Sequence, residues 1–291
     1  MYRIEEVKKA ETMDSLEKFD KTQLVQNEFY LNLLYFLNVL ENNFDSRDLD
    51  NLYNNIISIK IRFPGIFSLE DRKKLYASDG MYFPSKNEIL IKQKNFVSTV
   101  NHELLHMAST TEKNKRYFCG FWQQERNINI GYGLNEGYTS LLERRYFNKD
   151  IKKSVYELIM EYLEKIVGEY TLGKFYLRAD LAGLVEYLLT FSAEDKIVDF
   201  INGLDYFYEN TSLVFEKRFY INDVYNFLVL TYSNKQLGLY SAGVLSRFDC
   251  YISVTNFALE IADSFRKRFR GFDFGPLAEE ITENFGRRLK K

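Results

Sequence analysis

Both histidines of this 291-residue chain stand four residues apart, in His102-Glu103-Leu104-Leu105-His106. Spacing of four puts two side chains one turn apart on the same face of an α-helix, where both imidazoles can reach one ion. Val97, Val100, Leu104, Leu105 and Met107 form the apolar remainder of such a helix, and the spacing predicts it over Phe96–Ser109. A buried helix with two unpaired imidazoles bears a desolvation cost unless something pairs them. The pattern therefore points to a shared cation, and imidazole donors favour zinc over manganese or cobalt.

Zinc in a catalytic site takes three protein ligands and keeps a fourth position open for water. Glu103 projects beside the first histidine, where a carboxylate can accept and relay a proton, so it reads as a general base. No third histidine exists, which leaves a carboxylate or a cysteine as the remaining ligand. Gly131-Tyr132-Gly133-Leu134-Asn135-Glu136-Gly137-Tyr138-Thr139 offers Glu136. Its glycines allow close backbone approach, and Asn135 reads as the start of a helix running to Phe147 with Glu136 in its first turn. Glu112, Glu125 and Glu143 compete, as does Cys119; a glutamate near a helix start is also favoured by the macrodipole alone. Glu143, two turns beyond Glu136, reads as a partner for Arg144 or Arg145. Thr139 and Asn135 are candidates for orienting the ligands. Tyr132 and Tyr138 could donate to a developing oxyanion, but core packing fits either one better.

The order of a hairpin, His102-Glu103-Leu104-Leu105-His106 and a second helix bearing Asn135-Glu136 resembles the gluzincin class of zinc metallopeptidases, bacterial members among them. The resemblance covers about Gly80–Phe147. It implies one zinc ion per chain on His102, His106 and Glu136, Glu103 as general base, and a peptide or protein substrate held along the hairpin as an added strand. It also implies a zincin-like central region.

The rest of the chain sets the frame. Gly80-Met81-Tyr82-Phe83, a turn at Pro84-Ser85-Lys86-Asn87, and Glu88–Lys92 read as a β-hairpin. Arg116–Gln123 and Asn127–Tyr132 read as short extended pieces. Thr22–Leu40 has Phe29, Leu33, Phe36, Leu37 and Leu40 on one broad face, with Leu24 and Val25 continuing it, and reads as a helix. Asn32 and Asn38 interrupt that apolar stretch, which is too short to span a bilayer. Leu49–Ile61 reads as a second helix ending before Phe63-Pro64-Gly65. From Ser154 nearly everything reads helical: Val155–Val167, Leu181–Thr190, Glu194–Tyr208, Ile221–Tyr232, Ser253–Phe265 and Leu277–Arg288, with caps at Ser192 and at Asn222-Asp223. The expected fold class is α+β and predominantly helical, with a small β-sheet in the centre and a helical C-terminal half. The expected segments are 1–65, helical; 66–150, the metal-binding core; and 151–291, a helical subdomain.

A net charge of −2 gives no basic field to attract nucleic acid, and none is expected as a partner. The basic residues from Arg266 to Arg270 and from Arg287 to Lys291 read as solvated helix faces and a charged tail. Met1-Tyr2-Arg3-Ile4-Glu5-Glu6 lacks an apolar leader, and Cys119 and Cys250 form no metal-type pair, so reduced thiols and a cytoplasmic location are expected. Three readings follow for function: a zinc peptidase, a non-catalytic zinc-stabilised protein acting as a binding module, and a helical protein whose histidine pair is accidental.

Overall fold

In the computed structural model, residues 24–62, 78–92, 97–125, 128–147, 153–209, 217–269 and 272–290 are described. The turn expected at Phe63-Pro64-Gly65 and the side chains of Leu24, Val25, Val97 and Glu125 lie outside them. The fold is a predominantly helical α+β arrangement with two small sheets. Cα proximity groups the chain into two units. As far as they are described, the first takes 24–129, 138–147 and 173–181, and the second takes 130–137, 153–172 and 182–290.

In the first unit, helix α1 (Leu24–Asn43) buries Phe29, Leu33, Phe36, Leu37 and Leu40, the face its periodicity marks. Asn32 is no mere interruption: its amide donates to the Asn101 side chain of the motif helix at 3.1 Å. Helix α2 (Asp50–Ile56) stops short of the expected Ile61. Ile59-Lys60-Ile61 alternates inward and outward with β-branched side chains, a strand pattern. Lys60–Arg62 forms β1, in parallel register with Glu88–Leu90. The expected hairpin is present as β2 (Gly80–Phe83) and β3 (Glu88–Ile91), turned by left-handed Asn87. Asn87 also ties the hairpin down, donating to Asn55 O at 2.6 Å and Ser58 Oγ at 2.9 Å. Strand order is β1-β3-β2, so β2 is an outer strand among the described residues.

Helix α3 (Val97–Ala108) carries the histidine motif, with Val100, Leu104, Leu105 and Met107 buried as its apolar pattern requires. Its C-terminal carbonyls are satisfied from outside, Asn55 donating to Met107 O and Thr110 Oγ1 to His106 O, and Asn55 also donates to Thr110 O just beyond the helix. A second sheet follows in order β4-β5-β6-β7, from β4 (Thr110–Lys113), β5 (Arg116–Cys119), β6 (Trp122–Glu125) and β7 (Ile128–Ile130). The single extended piece expected over Arg116–Gln123 is broken at Gly120 (φ 55°), which folds it into the antiparallel pair β5 and β6.

Helix α4 (Tyr132–Phe147) begins three residues before the expected Asn135. Gly131 turns the chain at φ 76°, and the buried Asp205 carboxylate accepts from Gly131 N and Gly133 N, each at 2.7 Å. Asp205 thus supplies the cap that Asn135 was expected to provide. Gly133 is required there, since a Cβ would lie 2.4 Å from Leu204 O. The unit boundary falls within this one continuous helix.

The second unit is helical. Its helix α5 (Val155–Val167) starts as expected at Ser154, whose hydroxyl accepts from Glu157 N, and ends at Gly168 (φ 99°). Helix α6 (Glu169–Leu177), for which the sequence reading gave no separate range, follows at once, and the unit boundary falls within it after Leu172. Next come α7 (Leu181–Leu189), α8 (Glu194–Glu209), α9 (Lys217–Ser241), α10 (Arg247–Arg268) and α11 (Gly275–Arg288). Asn222-Asp223 does not cap α9, which already starts at Lys217. The abundant aromatics fill this core: Phe200 stacks on Phe227 at 4.2 Å and Tyr232 on Phe257 at 3.9 Å. Both cysteines are buried and free. No helix among the described residues is long and apolar enough to cross a membrane.

Candidate metal centre

Helix α3 delivers His102 and His106 from successive turns of one face. Their Nε2 atoms oppose each other at 3.2 Å. That distance approximates the ~3.3 Å edge of a tetrahedron whose metal–nitrogen bonds are ~2.0–2.1 Å. Helix α4 brings Glu136, and one ligand atom from each of the three residues lies within 4.8 Å of the others. Glu136 falls beyond the first turn of α4, because the helix starts at Tyr132. The macrodipole, which fades past that turn, is therefore a weak alternative reason for a glutamate here.

The outer nitrogens of both rings are engaged. His102 Nδ1 donates to Glu143 Oε2 at 3.1 Å, and the Glu143 side chain is fully buried. Seven residues make almost two full turns, so Glu136 and Glu143 project from one face of α4. The carboxylate set to one side in the sequence as a partner for Arg144 or Arg145 thus orients the first histidine. Around His106, Nδ1 faces Cys119 Sγ at 3.7 Å, a weak thiol interaction. Cys119 also donates to His106 O at 3.4 Å and lies 3.9 Å from Ser109 Oγ. The thiol sits on the Nδ1 side, away from the opposed Nε2 atoms, and so it supports a ligand instead of competing as one.

The Glu143 carboxylate can only accept, which sets the hydrogen of His102 on Nδ1. With a hydrogen on His106 Nδ1 as well, both Nε2 atoms would turn lone pairs toward each other at 3.2 Å, an arrangement that a shared cation satisfies. Two imidazoles and a carboxylate make a donor set suited to zinc, and carboxylate-backed histidine is its usual support. Glu143→Ala is expected to weaken zinc binding about tenfold to a hundredfold, measured by competition with a chromophoric chelator, while the helix content stays unchanged.

Glu103 is 7% exposed, and a Cβ added at Gly80 would come within 3.2 Å of its Cγ and Oε1 and 2.6 Å of Thr99 Cγ2. The outer strand β2 therefore begins against the motif helix beside the Glu103 carboxylate, and only glycine lets it approach so closely. Among the other candidates, Thr139 bonds the buried Tyr176 hydroxyl at 2.7 Å. Burial pushes the Tyr176 phenol far above its ordinary pKa and keeps it protonated. Tyr138 is fully buried, packing against Phe121 and Tyr176 at 5.7 and 5.3 Å, which makes it core. Tyr132 packs edge-on against Tyr208. Glu112 is exposed on β4 and is not among the grouped metal donors.

Comparison with protein-family models, with curated proteins and with solved structures returns no match. What the site does must be argued from its own residues.

Proposed function

We propose that this chain is a zinc-dependent metallopeptidase of gluzincin type, with His102, His106 and Glu136 as ligands and Glu103 as general base. The observation that carries the reading is the opposed Nε2 pair on α3, the helix that also presents Glu103, joined by the Glu136 carboxylate from α4. A bound zinc would supply a Lewis acid and lower the pKa of water at the site. The chain's own residues supply the rest. Glu143 holds the His102 ring in the tautomer that ligates, and Cys119 lies against Nδ1 of His106. Glu103, nearly enclosed, takes the proton of the attacking water and returns it to the departing amine. The outer edge of β2 offers main-chain groups to an extended substrate, and Gly80 sets that edge against Glu103.

The test is hydrolysis of a peptide library by zinc-loaded protein, with a chelated sample and Glu103→Gln as blanks. Cleavage lost in both blanks supports the reading. Zinc retained with nothing hydrolysed favours a zinc-stabilised binding module.

A further inference from the structure

The strand that would hold substrate does not end in open surface. Phe83 at the end of β2 leads directly into Pro84 and Ser85, which line a depression of about 300 Å³. Lys115, Arg116, Tyr117, Trp122 and Gln124 complete it, so its described lining holds two cations and two aromatic side chains, with the Glu112 carboxylate bonded to the Tyr117 hydroxyl beside it. From Gly80, beside Glu103, to Pro84 is four residues of extended chain, roughly 13 Å. We propose that this depression binds an acidic side chain of an extended peptide lying along β2, about four residues from the bond beside Glu103. The proposal rests on the peptidase reading for the position of the bond, but not for the binding.

A second observation bears on Lys115. The β4–β5 hairpin turns through Asn114 and Lys115, both left-handed, with φ of 53° and 61°. Such two-residue turns favour Asn-Gly, because glycine adopts the second conformation without strain. A lysine is held there instead, and it lines the depression together with Arg116. Strained backbone at a binding element is a recognised trade of stability for function. Lys115→Gly separates the two effects: the turn relaxes and the melting temperature rises, while acidic ligand binding weakens.

Trp122, the chain's one tryptophan, lines the depression and reports its occupancy by fluorescence. The experiment titrates zinc-loaded Glu103→Gln protein, which leaves peptide intact, with ten-residue peptides carrying a single Glu or Gln walked along the sequence. Glu at one position should bind about fivefold tighter than Gln, as two exposed cations allow. In the Lys115→Glu/Arg116→Glu variant the preference should pass to Lys at that position. Equal affinity for Glu and Gln peptides at every position overturns the proposal, as does absent binding or a preference that survives the charge reversal. Wild-type cleavage without an acidic preference sinks the subsite and leaves the peptidase reading standing. Acid-dependent binding with no wild-type cleavage does the reverse.

Discussion

Glu103→Gln is expected to keep one zinc per chain and to lose peptide hydrolysis by about a thousandfold, within the range a positioned general base contributes. The substitution conserves volume at a side chain that is 7% exposed and lies beside Gly80 and Thr99, so packing should survive. Glu103 is not among the three grouped donors, which is why metal content should not follow activity down. The amide cannot take the proton from water. Paired measurements on one preparation, zinc per chain and initial rate on a cleaved peptide, check both halves. A rate within a few-fold of wild type would remove Glu103 from the chemistry.

Glu136→Gln is the second large effect. It should weaken zinc by about a hundredfold or more, since a complete zinc site is worth ~10–16 kcal/mol shared among its ligands. The fold should tolerate it. Glu136 lies past the first turn of α4, where the dipole gains little from its charge, and Asp205 independently caps that helix. Glu112→Gln, a change at the exposed competitor on β4, is the matched control and should leave zinc affinity unchanged. Equal affinity in Glu136→Gln and wild type would mean that Glu136 is helix decoration and that another group completes the site.

The parts of this site carried by local pattern were legible in the sequence. Helical spacing gave α3 and its two imidazoles, a turn signal gave the β2–β3 hairpin, and Ser154 marked the start of α5. What escaped depends on residues remote in sequence. Asp205 caps α4 from more than seventy residues away, so Asn135 looked like the start when it is buried inside the helix. Lys60-Ile61-Arg62 becomes β1 only because β3 lies beside it in parallel register, a pairing that periodicity over a few residues cannot declare. Glu143 was visible as a carboxylate on the right face of α4. Its role as the His102 partner needed the packing of two helices, and the same is true of Cys119 behind His106. The arginines after Glu143 offered a nearer partner and drew the local reading away.

The most direct measurement is the metal content of purified, untagged protein, with His102→Ala prepared identically. The account predicts about one zinc per chain in the wild type and none retained in the variant. No metal in the wild type, even after zinc is supplied and chelator removed, would mean that the two imidazoles face each other for packing alone, and the metal centre would be gone.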